Sequence, residues 1–492
     1  MKQHIENLVH IALRRLQEAG ELMAIPAYIQ VGEAKDNNHG DFSTNIALIL
    51  AKSANKNPFQ LAERIVRFLP DSPHVQKVEI AGPGFINFFL SPQALNSVIT
   101  AILTEKQAFG RSKMGRGKKV LVEFLSADPT GPLNISHGRL AVFGSVLANL
   151  LDAVGFNIYR EYYINDVGAP DTSLQNVLRD IREDLSDFGI HFDSWFSERQ
   201  LSPQIEAEGL YKRLQHHGHI YERDGVIWFR STDFGDSKDR ALTQANQRHT
   251  YFVHDVAYHL SKFDRGFDIA LNIFDANYHD YIKRMKAAME AASINPERLI
   301  QVLVQSVSLN SNTQADAPIN TEGIMTLRAL RREVGNDAAR FFLLMRKSEH
   351  SIEFDLHLAK KQSNENPVYY LQYAHARICH VFAQLAARHI KYDEQQGLRA
   401  LYRLVEPHER KLLNMLSRYP DAVFNAALYY EPYLLINYLR ELAAAFHAYY
   451  NAYQFLVDDV ELRNARLTLI AATRQILFNG FSLIGISAPE NM

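Results

Sequence analysis

The stretch Val120–Arg139 constrains the fold of this chain most. Val120–Leu125 is an apolar run broken by Glu123, and it has the length and composition of a buried strand. Ala127–Asn134 follows with two prolines and a glycine, and a helical pattern opens near Ser136. Strand, tight turn and helix N-terminus together form a cradle for phosphate. The turn lets backbone N–H groups converge, and the helix dipole favours negative charge there. A plain strand–loop–helix corner carries the same pattern, so the stretch is a candidate site.

A length of 492 residues suggests about three domains. Hydrophobic residues make up 47% and charged residues 22%, the balance of an ordinary globular protein. The formal net charge of −2 does not announce a nucleic-acid partner, which leaves local basic patches as the place to look. The single cysteine, Cys379, excludes an internal disulfide and a cysteine metal cluster and fits a reducing compartment. Histidines such as His249 and His259 show no zinc spacing, so no metal site is expected. The N-terminal stretch is amphipathic and charged, without the apolar centre of a signal peptide, and no run is read as a membrane span. A cytoplasmic protein is expected.

In chain order, residues 1–23 show helical spacing, Ile29–Glu33 a short strand, and the stretch after Ser43 or Thr44 a capped helix. A helix at Pro58–Leu69 and a strand pair, Val75–Ile80 and Gly84–Leu90, complete an α+β unit. The helix Pro92–Lys106 leads to Gly110–Lys119, a basic, glycine-rich segment read as an exposed linker, with phosphate or tRNA contact as the sharper option. After a helix at His137–Val154, Phe156–Asn165 is a second strand, so the doubly wound α/β pattern begins here. Residues 174–220 read as charged and helical around Trp195-Phe196. Val226–Arg230, Thr250–Val253, Phe267–Phe274 and Ile300–Leu309 read as strands. From Met325 the pattern is nearly all helical and ends in a helix at roughly Val460–Leu477, which indicates a bundle.

These residues resemble the arginyl-tRNA synthetases, class I enzymes, over nearly the whole chain. The opening stretch is similar to the family's first signature region, and Asp236–Arg240 with Tyr251–His259 to its arginine-pocket region. His39–Asn45 and Gly82–Asn87 are similar to its N-terminal tRNA-contacting domain. Gln362–Arg377, Leu442–Asn451 and the close at Met492 are similar to its anticodon-binding domain. The resemblance implies a multidomain α/β plus all-α fold: a Rossmann-type class I synthetase core, an N-terminal α+β domain and a C-terminal helical anticodon-binding bundle. The expected division is 1–92, a linker at 93–119, a core at 120–324 with a shortened connective insertion, linking helices at 325–361, and the bundle at 362–492. It further implies a monomer that attaches arginine to its tRNA with ATP and Mg2+, with no membrane involved.

Carried over residue by residue, the resemblance places Pro129, Thr130, Gly131, Asn134, Ser136, His137, Ala276 and His279 in the ATP region. It places Glu123, Ser126, Asp128, Tyr251 and Asp255 around arginine, and Asn45, Tyr373, Arg377, Asn451 and Met492 against tRNA. Activation is attack of a carboxylate on the α-phosphorus of ATP, so the family's signatures supply donors to developing phosphate charge. The first, His-x-Gly-His, reads Asn134-Ile135-Ser136-His137, so only His137 remains of its histidines. Asn134 can donate a hydrogen bond but carries no charge, and a side chain at Ser136 is expected to press on the adenine. The second, lysine-bearing signature falls on Asp316–Ile319, which has no lysine, and Gly131 holds the place where some members carry a compensating one. Two readings stand: a ligase with severely impaired activation, or a catalytically inactive paralogue acting as a tRNA-binding or regulatory protein.

Overall fold

The computed structural model describes residues 1–26, 29–33, 40–127, 130–166, 171–201, 203–216, 218–310 and 324–492. Near the N-terminus a four-stranded antiparallel sheet runs in the order Val31–Glu33, Phe42–Thr44, Phe85–Leu90, Val75–Ala81. The helices Lys2–Glu18 and Pro58–Phe68 bury Ile5, Val9, Leu13, Leu61 and Ile65 against it, the i, i+4 spacing of an apolar helix face. The helix after this sheet's second strand begins at Ile46 with Asn45 as its N-cap, not at Ser43 or Thr44. Thr44 is drawn into the strand, and its hydroxyl donates to the Gln30 carbonyl at 2.7 Å.

The centre is a five-stranded, wholly parallel sheet in the order Leu299–Val304, Ile269–Asp275, Lys119–Phe124, Asn157–Ile164, Ser194–Ser197. Lys119–Phe124 lies in the middle and is buried on both faces, which explains its near-continuous apolar run. The helix Ile135–Ala153 packs directly on it. A Cβ at Gly144 would stand 2.2 Å from the Phe124 ring, so only glycine admits this approach.

Three sequence expectations fail here. Trp195-Phe196 is not a break between helices but the edge strand, where Trp195 stacks on Tyr162 with ring centroids 4.4 Å apart. Thr250–Val253 is not a strand: Thr250 is the N-cap of the helix Tyr251–Asp264, whose Phe252, Val256, Leu260 and Phe263 keep a helical period into the core. Ile300–Leu309 splits at Gln305-Ser306, and its second part, Val307–Leu309, pairs in parallel with Ile352–Phe354.

The remainder is helical. Leu327–Leu343 is broken at Gly335, where φ is +79°. The bundle comprises Pro367–Ala387, Pro407–Ser417, Tyr419–Leu428, Tyr433–Ala452 and Val460–Ile484. The last helix runs past the expected Leu477 to Ile484. Contrary to the sequence reading, it is long and apolar enough to cross a membrane by length and composition, but 72% of its apolar window is buried inside the bundle. It also carries an internal ion pair, Arg466 to Glu409 at 2.9 Å, with the Tyr449 hydroxyl donating to the same carboxylate.

Two buried arginines join these parts. Arg340 donates to the carbonyls of Phe188 at 2.8 Å and Ile484 at 3.1 Å, tying core and bundle to the linking helix. Arg139 donates to the carbonyls of Gln305, His350 and Lys347 at 2.7, 2.7 and 2.9 Å. Burial lowers both guanidinium pKa values to about 10, so both remain charged at neutral pH. Arg340→Met leaves two buried carbonyls unpaired and is expected to cost about 3 kcal/mol, read as a lower urea midpoint with unchanged slope.

Candidate functional site

The corner after the central strand turns through an unusual residue. Leu125 is 1% exposed yet has φ +64°, a strained conformation for a leucine. It sends the chain back on itself, so that the Ser126 hydroxyl donates to Glu123 Oε1 at 3.1 Å and accepts from the Tyr163 N–H at 3.2 Å. Asp128 and Pro129 lie outside the described residues. Thr130 is exposed, and open space surrounds the Gly131 Cα.

Asn134 is the N-cap of the helix: its Oδ1 accepts from the His137 N–H at 2.9 Å, while His137 Nδ1 accepts from the Asn134 N–H at 3.2 Å. This reciprocal capping box satisfies two helix-terminal donors internally. A His137 ring that accepts at Nδ1 is neutral with its proton on Nε2. The Ser136 hydroxyl is engaged with the backbone of Val307, accepting from its N–H at 3.0 Å and donating to its carbonyl at 3.2 Å. On the other flank, Ile135 N–H donates to the Met325 carbonyl and Leu327 N–H to the Leu133 carbonyl, forming a bridge at Asn134 and Thr326. The first helical turn therefore holds Val307 on one side and Met325–Leu327 on the other, while residues 311–323, which contain the expected second-signature position, lie outside the described residues.

Beside the corner is a cluster of buried carboxylates. Glu123, 3% exposed, accepts from Lys262 Nζ at 2.5 Å and Asn272 Nδ2 at 2.7 Å in addition to Ser126. Lys262 is wholly buried, and burial depresses its pKa against the pull of Glu123. Asp255 accepts from the Tyr281 hydroxyl, and burial raises its pKa to about 7, with that hydrogen bond opposing the rise and the nearby Glu198 and Glu123 adding to it. Glu198 is pushed up by burial as well, and His254, whose Nδ1 lies 4.0 Å from it, is pushed down. Tyr251, four residues before Asp255, is 78% exposed. The sequence reading missed Tyr281 and Lys262. Lys262 lies two helical turns from Asp255 on the same face, a spacing that could have been noticed. Tyr281 comes from another helix, and nothing local points to it. Near the end of Ile269–Asp275, the Asp275 carboxylate is used locally, accepting from the Asn277 N–H ahead of His279, while Ala276 sits in the intervening 3-10 turn.

In the bundle, Tyr373, Arg377 and Asn451 come together. The Arg377 guanidinium lies 4.5 Å from the Tyr373 ring centroid and 4.6 Å from that of Tyr450, and donates to His447 Nδ1 at 3.2 Å and Asn451 Oδ1 at 3.5 Å. Such a cation held between aromatic faces presents flat surfaces on which bases stack. Met492 is 47% exposed. Asn45, in the N-terminal sheet region, has a buried Oδ1 without a partner among the described residues.

Comparison with known proteins now bears on this arrangement. Residues 3–90 match the arginyl-tRNA synthetase N-terminal domain, 98–187 the catalytic domain of class I (R) tRNA synthetases, and 371–492 the DALR anticodon binding domain. The chain is 41% identical to the arginine–tRNA ligase of Thioalkalivibrio sulfidiphilus and 40% identical to that of Legionella pneumophila strain Paris, with all of both chains covered in each case. This chain belongs to the arginyl-tRNA synthetase family. The fold agrees: the arginyl-tRNA synthetases of Thermus thermophilus and Plasmodium falciparum superpose with TM-scores of 0.80 and 0.81 at 20% and 15% identity, covering this chain entirely and 100% and 99% of theirs. The alignment with the Thioalkalivibrio ligase spans 586 positions against 492 residues here, so it contains positions that this chain leaves unfilled. Arginine and tRNA are the substrates of the family.

The raised Asp255 pKa fixes the sign of a pH effect. Between an unfolded value near 3.8 and a folded value of about 7, the native state holds the extra proton, so this group's contribution to stability falls as pH rises through that window. The depressed histidines act in the opposite sense. Thermal unfolding at pH 5 to 8 is therefore expected to show Asp255→Asn gaining stability over the parent progressively towards pH 8.

Proposed function

We propose that this protein binds arginine-specific tRNA through its flanking domains and activates arginine far more slowly than an ordinary arginine–tRNA ligase, at or near background. The observation that carries this reading is the use already made of the signature side chains: Asn134 caps its own helix and Ser136 is fastened to Val307. In activation a carboxylate oxygen of arginine bonds to the α-phosphorus of ATP as the bond to pyrophosphate breaks. Negative charge grows on the phosphate oxygens as this happens. Asn134 offers no positive charge to it, and the capping box takes the His137 N–H out of the set of helix-terminal donors. One missing donor costs about 2.7–4 kcal/mol, a hundred- to a thousandfold in rate.

On the arginine side, Asp255 and Glu123 are the groups we assign to the guanidinium and the amino end. Lys262 neutralises Glu123 in part, and Asp255 becomes a full anion only when a cation or a pH above about 7 favours it. ATP is the second substrate, with magnesium accompanying its phosphates, and the protein acts as a monomer in the cytoplasm. The division at 92, 119, 324 and 361 serves this reading as its working domain scheme. The competing reading, a ligase working at an ordinary rate, is favoured by the 41% identity over the full chain.

ATP–pyrophosphate exchange with arginine and cognate tRNA separates the two. Near-background exchange is expected for the parent chain, with a gain of about tenfold or more for Asn134→His combined with Ser136→Gly. Exchange in the parent at the level of the Legionella enzyme overturns the proposal. In filter binding at fixed salt, Tyr373→Ala is expected to lose about 1–3 kcal/mol of tRNA affinity, the scale of one stacked base.

A further inference from the structure

Residues 111–119, at the opposite end of the central strand from the site, carry five exposed cations: Arg111, Lys113, Arg116, Lys118 and Lys119. This segment is not the loose linker that its composition suggests. Ser112, Gly115 and Gly117 donate their N–H groups to the carbonyls of Ala153, Val154 and Gly155, and the Lys118 carbonyl accepts from Asn157. A Cβ at Gly115 would meet the Phe156 nitrogen at 2.5 Å, and one at Gly155 would meet the Ser112 carbonyl oxygen at 2.8 Å. Two glycines thus allow the loop to lie flat against the chain that leaves the helix Ile135–Ala153.

At its tip Lys118 N–H donates to the Gly115 carbonyl at 2.9 Å, and both intervening residues have positive φ, +49° at Arg116 and +71° at Gly117. This is a type I′ turn, which favours glycine or asparagine at its first central position. An arginine is held there instead, against its own backbone preference and in full exposure. Strain retained at a surface residue calls for a use of its side chain. Arg111 pairs with Asp152 at 3.1 Å, and Asp268 accepts from the Lys119 backbone N–H. The side chains of Lys113, Arg116, Lys118 and Lys119 have no ion-pair or hydrogen-bond partner among the described residues. In a chain of net charge −2, four uncompensated cations on one clamped loop form a concentrated positive field with no entropy left to lose in the backbone.

We propose that the loop Arg111–Lys119 is a docking site for the sugar–phosphate backbone of RNA, independent of base sequence. It lies roughly 17 Å from the signature corner along the central strand, at about 3.3 Å per strand residue, and shares no residue with the stacking cluster around Arg377. It deepens the tRNA-binding reading above and rests on it for the kind of polyanion. Phosphate is the favoured partner because the loop offers exposed cationic side chains but no exposed apolar side chain on which a peptide could settle.

The test uses the full chain with two probes: a tRNA transcript cognate for arginine, and a short RNA duplex that has no anticodon loop. Binding is followed from 50 to 300 mM salt. The parent is expected to bind the duplex at low salt. The triple variant Lys113→Gln, Arg116→Gln, Lys118→Gln is expected to flatten the plot of log K against log salt by about 2 to 3, near 0.9 per phosphate contact. Arg116→Gly separates function from folding: it relieves the turn, so its Tm is expected to equal or exceed the parent's while its slope falls by about 0.9. No duplex binding by the parent at 50 mM salt, an unchanged slope in the triple variant, or binding to anionic phosphatidylglycerol vesicles in place of RNA overturns the proposal. Tyr373→Ala reports on the other reading alone: it is expected to weaken the transcript and leave the duplex unaffected. If it leaves both unchanged, the anticodon-side reading fails while the loop result stands by itself.

Discussion

Much of the core depends on one point of attachment, the first turn of the helix Ile135–Ala153. From it, backbone pairing at Leu133–Ile135 holds Met325–Leu327, Ser136 holds Val307, and Arg139 gathers the carbonyls of Gln305, Lys347 and His350. The helix beginning at Leu327 leads on to the bundle, and through Arg340 it carries the tie between the core and the last helix. A guanidinium buried against three carbonyls keeps its charge through charge–dipole hydrogen bonds, with the Glu431 carboxylate adding to them. It serves here as a fixed joint between strands and helices that share no sheet.

The buried charges of the core follow a related rule. Glu123 meets Lys262, Glu161 meets Arg265, and Glu409 meets Arg466, each with a tyrosine, amide or hydroxyl completing the set. Such pairs are weak evidence for stability, because desolvation offsets most of their attraction. Their effect is directional: each carboxylate can be satisfied in one arrangement of its neighbours. Asp255 stands apart from this pattern. Its hydrogen-bond partner is a neutral phenol, no cation pairs with it among the described residues, and burial raises its pKa.

How much of this was legible depended on range. The central strand, the turn and the first helix were readable because their information is local: an apolar run, two prolines with a glycine, and a helical period. The family was readable because several short motifs fall in order along the chain. The helix at Tyr251 was misread because its first residues, taken alone, are aromatic and β-branched; its period shows only over two turns. The edge strand at Ser194–Ser197 was hidden for the converse reason. It is short and flanked by charged helices, and only its pairing with Asn157–Ile164 makes it a strand. At the site, the residue types at 134 and 136 were visible, but their hydrogen-bond partners were not. Val307 is far away in sequence, and its N–H and carbonyl are invisible to any reading of side chains.

That contact also governs how this sequence can change. With Ser136 in place, the Val307 N–H has come to rely on a hydroxyl in a spot that is 8% exposed. A glycine at 136 reopens space on the helix and at the same time orphans a buried donor, a loss of about 1–3 kcal/mol. A histidine at 134 likewise removes the present cap. Each of these single replacements is therefore uphill in folding. Residues 134 and 136 are thus fastened into the fold, and a replacement at either is best tolerated when the helix cap or the Val307 N–H is given a new partner at the same time.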